Sequence, residues 1–227
     1  MTTGIKVTSG RVYIGVSHLG YILPLLLGFW IVEPGYSQLH DYNWILGYDG
    51  GVNMPVGDSF GLVKLSFLDE SLELSTNEQG EGDFRSNNVS FSDGSASLSL
   101  YFTGEGVYNS EYELMPNGAN WYSGQFDGGW KAPQASLCLP HPGNVGYCIL
   151  LNMETELWAI EEKLSITGKY LFSSMIKQDT ALADIFVSLR KELLLSDTLD
   201  YGKLSACRHA NGRDLLVILP AFNSNLY

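Results

Sequence analysis

"GKLSACRHANGRDLLVILP", residues 202–220, is the stretch on which the fold turns, and two readings compete for it. As chemistry, it places a thiol, a histidine, two arginines and an aspartate within residues 207–214. As structure, it is an alternating run, an Asn-Gly bend and a second apolar run, a strong short-range hairpin signal. The pattern recurs. "NNVSFSDGSASLSLYF" (87–102) reads as strand, Asp-Gly turn, strand. "QASLCLPHPGNVGYCILL" (134–151) reads as strand, Pro-Gly-Asn turn, strand. In each unit the first strand is rich in small residues and the second is bulkier. Aligned on Gly94, Gly143 and Gly212, the units lie 49 and 69 residues apart, and "GKYLFSSMI" (168–176) adds a strand in the wider gap. Hairpins repeated at this period predict β-propeller blades, with a sandwich of irregular hairpins as the alternative.

The flanking segments agree with an all-β chain. "NWILGY" (43–48) is a candidate strand, and "FGLVKLSFLD" (60–69) alternates apolar and polar residues, the mark of a half-buried strand. "LSTNEQGEGDFRSNN" (74–88) is polar, contains glycines and reads as exposed. "DTALADIFVSLRKELLLSD" (179–197) has apolar spacing that fits an amphipathic helix or a strand pair. Its strand neighbours favour strands. About three blades are legible, whereas closed propellers have about four to eight. The expectation is therefore a partial, propeller-like array of hairpins.

Composition supports strands and turns. The 227 residues are 45% hydrophobic, 17% charged and 12% aromatic, with 25 glycines. The formal net charge of −12 repels phosphate backbones, so no nucleic-acid partner is expected. Up to Val32 there is no acidic residue, and Leu19–Val32 is an apolar run. The run is too short for a comfortable transmembrane helix, which needs about 20 apolar residues. It suits the core of a secretory signal, with Gly35 and Ser37 preceding a cut before Gln38. The expected organisation is a signal peptide over 1–37 and a β-propeller-like domain over 38–227. An uncleaved anchor is the alternative, and the membrane is met only through this export signal. Export permits disulfides, and there are three cysteines, Cys138, Cys148 and Cys207.

Several segments together carry a family likeness: "YNWILGYDGG" with "FGLVKLSF", "SFSDG" (90–94), "MPNG" (115–118), "APQASLCLPHPGN" (132–144) and "RHANGRD" (208–214). They resemble the amino-terminal region of large secreted Bacteroidota-type surface proteins that carry a carboxyl-terminal sorting domain for type IX secretion. The resemblance covers roughly 40–227, with 152–200 matching loosely. It implies a strand-rich, propeller-like domain after a signal peptide, at the outer cell surface or outside the cell. Members of that family carry further blades and the sorting domain beyond this region. The chain is accordingly expected to be the front part of a longer exported protein. The resemblance implies no catalytic residue.

Each candidate site has a structural competitor. Cys207 and His209 form a conceivable thiol–base pair. Yet His209 lies at the bend, and Arg208, Asn211, Gly212, Arg213 and Asp214 read as a hairpin tip held by local charge pairs. In the repeat, Cys207 aligns with Cys138 and Val89, which predicts a small buried packing position. Cys138 and Cys148 are symmetric about Gly143 if the loop has three residues, which makes them a candidate cross-strand disulfide. "CLPH" (138–141) lacks the paired short spacing of a zinc site, and the acidic residues lack calcium-loop spacing, so neither metal nor cofactor is predicted. "GANWYSGQFDGGWKAP" (118–133) sets Trp121, Tyr122, Phe126 and Trp130 among glycines. Such rings suit sugar stacking or a protein contact, and folding back onto the sheet is the alternative. The sequence thus predicts a non-catalytic binding or scaffold module for a glycan or surface protein. The rival is a polysaccharide-active enzyme or adhesin module using the 118–133 loop.

Overall fold

The structure, a computed structural model, describes residues 40–47, 61–68, 71–77, 84, 87–121, 132–160, 163–178, 185–211 and 214–222. These hold twelve strands and no α-helix. Strands β1 (Asn43–Gly47), β2 (Leu62–Ser66) and β3 (Glu73–Asn77) form one sheet. A second contains β4 (Val89–Ser92), β5 (Leu98–Phe102) and β6 (Val107–Asn109). The third contains β7 (Ser136–Pro140), β8 (Tyr147–Ile160), β9 (Lys163–Lys177) and β10 (Phe186–Leu199). β11 (Ser205–Arg208) and β12 (Leu215–Ile218) make a hairpin. Spatial order follows chain order in every sheet, and all pairs are antiparallel. The chain is all-β, built of several small open meanders.

The three expected hairpins are present, each closed by its own polar chemistry. At the first, Asp93 Oδ1 accepts from the backbone N–H of Ser95 (2.8 Å) and Ser97 (3.0 Å). Ala96, not Gly94, takes the left-handed conformation there, at φ 64°. The second pairs Cys138 with Leu150 and Pro140 with Cys148. Its centre is thus Asn144 rather than Gly143, which corrects the symmetric register. In the third, the N–H of His209 donates to the Asp214 carbonyl at 2.8 Å. The polar 74–88 stretch, expected to be exposed, begins in a strand that is exposed from Leu74 to Thr76. β3 runs from Glu73 into that stretch, its backbone paired with β2 while its side chains stay in solvent.

Alternation explains how the sheets stack. In β5, Leu100 and Phe102 enter one buried cluster while Tyr101 enters another. In β8, Cys148 and Leu150 face one cluster, and Leu151 and Met153 face another. A strand apolar on both phases must be covered on both faces. The first cluster accordingly joins the β4–β6 and β7–β10 sheets through Phe91, Leu100, Trp121, Leu150 and Ile176. Ile45, Leu62, Phe84, Tyr101 and Tyr108 join the β1–β3 and β4–β6 sheets. Leu151, Met153, Leu171, Leu199 and Leu204 join the β7–β10 sheet to the β11–β12 hairpin.

The ambiguous 179–197 segment is strand from Phe186 onward; residues 179–184 lie outside the described set. Its register against β9 shifts at four places, and Lys191 has φ 54°. Bulges of this kind insert unpaired residues and break the two-residue period. They account for apolar spacing that resembles a helix.

Candidate functional site

The first strands of the three sheets lie side by side, β1 against β4 and β4 against β7. Amide side chains bind them together. Asn43, 3% exposed, donates from Nδ2 to Ser92 Oγ (3.0 Å) and to the Ala96 carbonyl (2.7 Å). Asn88 Nδ2 donates to the Ile45 carbonyl. Asn87 Nδ2 donates to Ser136 Oγ at 2.8 Å, carrying the connection on to β7. His40 adds a ring stacked on Phe91 at 4.4 Å.

A groove of about 330 Å³ runs along these strands, lined among others by Asp41, Trp44, Leu46, Asn88, Ser90 and Leu137. Trp44 is 50% exposed and meets Phe67 edge-on at 5.1 Å. The lining is one carboxylate with amide, hydroxyl and apolar groups, which can hold a ligand by shape and hydrogen bonds. Sequence reasoning missed this site. The available signal was "NWILG": Asn43 falls in the buried phase with Ile45, and two large apolar residues, Trp44 and Leu46, fall in the exposed one.

Of the predicted aromatic site, the structure describes Trp121 alone. Trp121 is 1% exposed, so it offers no open face for sugar stacking. Its ring packs edge-on against Phe102 at 5.4 Å, and the Arg190 guanidinium sits 5.2 Å from the ring centre. The alternative, folding back onto the sheet, describes it. Tyr122, Phe126 and Trp130 lie outside the described residues.

The 207–214 cluster is a hairpin tip. Cys207 pairs with Leu216 and Arg208 with Leu215. His209 Nδ1 accepts from the Asn211 N–H at 3.2 Å, and Asn211 Nδ2 donates to Asp214 Oδ2 at 2.6 Å. The Asp214 N–H returns a bond to Asn211 Oδ1 at 3.0 Å. The bend is thus tied by amide–carboxylate reciprocity; Gly212 and Arg213 lie outside the described residues. Cys207 is exposed, which corrects its expected burial.

Cys138 and Cys148 stand diagonally across β7 and β8, both as free thiols. Desolvation pushes the Cys138 thiol well above its usual range, and its hydrogen bond with Cys148 adds to this. A thiol so raised is a poor nucleophile. The direct cross-strand opposition expected for a disulfide is replaced by this diagonal placement. Among the described residues, no three His, Cys, Asp or Glu side chains gather as a metal set. No protein-family model, no curated protein and no solved structure matches the chain.

Proposed function

We propose that this chain is a non-catalytic, propeller-like binding module of an exported protein, acting at the outer cell surface or outside the cell. One observation carries the reading: three consecutive meanders present their first strands, β1, β4 and β7, to a common groove. Inner strands brought together in this way are how propeller blades surround an axis. Sheets buried on both faces, as β5 and β8 require, support the same arrangement. Export rests on the apolar Leu19–Val32 run and the small residues before Gln38. The ligand is a glycan or a surface protein, met through the half-exposed Trp44 ring and the polar groups beside it rather than through Trp121.

A glycan array, read beside a panel of surface proteins, tests this with the wild-type chain and Trp44→Ala. Binding without release of reducing ends is expected. Trp44→Ala should lose that binding while keeping the wild-type melting temperature. Release of reducing ends would transfer the chain to the polysaccharide-active enzymes. Unchanged binding by Trp44→Ala would remove the groove from the site.

A further inference from the structure

A second, smaller cavity lies between the β4–β6 and β7–β10 sheets. Its polar lining is Asn87, Trp121, Ser136, Asn152 and Glu154. Its space accessible to a water molecule is about 10 Å³. That is close to the minimum of about 10–15 Å³ that one water requires. Three of the lining side chains bury a polar atom without a hydrogen-bond partner: Asn87 Oδ1, Trp121 Nε1 and Asn152 Oδ1. They are the only such side-chain atoms among the described residues. Asn87 and Trp121 are each 1% exposed and Asn152 is 7% exposed.

We propose that these three residues hold one buried water molecule that pins the two sheets together. The count of donors and acceptors selects the ligand. The two amide oxygens accept, and the indole N–H donates. Water supplies two donors and a lone pair, so a single molecule satisfies all three atoms. A metal cation or ammonium ion meets the carbonyl oxygens but has no lone pair for the indole N–H. An anion accepts from the indole but is repelled by both oxygens. Glu154 does not call for a cation here, since its negative charge is paired with Lys191. A dry cavity would leave three buried polar atoms unpaired, a cost that native structures avoid.

The position gives the water its role. Asn87 precedes β4, and its other amide atom already reaches Ser136 at the start of β7. Asn152 lies on β8 directly opposite Ser136. Trp121 follows β6, anchored by its backbone N–H to the Glu105 carbonyl at 3.0 Å. One molecule therefore links all three elements across the seam.

Three measurements on the full chain test this. A crystal structure fine enough to place solvent should show one peak about 2.7–3.2 Å from all three atoms. Solution NMR of wild-type protein should show magnetisation transfer between water and the Trp121 indole proton, assigned by its loss in Trp121→Phe. Oxygen-17 relaxation dispersion should count one long-lived water fewer in Asn152→Leu than in the wild type. The wild-type data stand even if a variant fails to fold. No peak and no transfer would overturn the proposal. So would a peak with anomalous scattering or with metal-like contacts near about 2.4 Å.

Discussion

Replacing Gly202 with alanine should release the β11–β12 hairpin from the sheet it covers. Gly202 has φ 79°, and a Cβ built there would lie 1.9 Å from the Pro133 carbonyl oxygen. That atom is backbone, so no rotamer change can relieve the clash. To reach even a 3.0 Å contact, the two segments must part by about an ångström. Two bonds hold them together, Lys203 N–H to the Pro133 carbonyl at 3.2 Å and Leu204 N–H to the Gln134 carbonyl at 2.8 Å. The left-handed backbone costs alanine about 1–2 kcal/mol. Losing each bond costs about 1 kcal/mol. Partial withdrawal of Leu204 from its cluster adds about 1 kcal/mol. The sum, about 4–5 kcal/mol, is a large share of a domain's usual stability. Urea unfolding followed by tryptophan fluorescence would measure it, with amide exchange at Lys203 and Leu204 locating it. Gly94→Ala is the control, because a Cβ there meets nothing within 4 Å, and it should stay within about 0.5 kcal/mol of wild type. If Gly202→Ala lost less than about 1 kcal/mol while Lys203 and Leu204 stayed protected, the close approach to Pro133 would be refuted.

Asn43→Ala should cost about 1–3 kcal/mol in the same unfolding assay, since it strips two side-chain bonds that join β1 to the β4–β5 turn. In reduced native protein, a disulfide reagent should modify exposed Cys207 first, half-buried Cys138 more slowly and buried Cys148 only after unfolding; immediate modification of all three would contradict the burial of Cys148. Asp200 is held below the usual carboxylate range, first by its hydrogen bond from Lys203 Nζ at 2.5 Å. Its stabilising contribution is therefore complete above its unfolded pKa of about 3.9 and is lost as pH falls through the lower folded value. The pair is partly exposed, so the effect is at most about 1 kcal/mol, and Lys203→Met should flatten that part of a stability-against-pH curve.

Local chemistry made the hairpins legible, and long-range packing hid much of the rest. Asp93-Gly94 and Asn211-Gly212 mark bends because their side-chain and backbone groups close turns within a few residues. Strand β3 was not legible, since "ELSTN" is a strand through its partner β2 rather than through its own composition. Segment 186–199 was ambiguous for a different reason. Its bulges depend on β9, and no single-strand pattern records where a register will slip. The groove was invisible because its parts, Asp41 to Leu46, Asn88 to Ser90 and Ser136 to Cys138, are far apart in sequence.

Trp121 shows the same limit at one side chain. Among glycines, a tryptophan at the edge of an aromatic loop reads as an exposed ring waiting for a ligand. What decides otherwise lies at positions 102 and 190, on strands from two different sheets. Phe102 supplies an edge-on neighbour, and Arg190, held to the Asn120 carbonyl, sits over the ring. Burying the ring gains the full apolar area of the largest side chain but strands its N–H, which needs an acceptor when desolvated. The cavity beside Asn87 and Asn152 brings acceptors to the same place. Burial of Trp121 and the polar character of that cavity thus belong together: the water proposed there would accept from the indole N–H that burial takes away from solvent. A tryptophan with no such seam would have kept its N–H in water and its face open to a ligand.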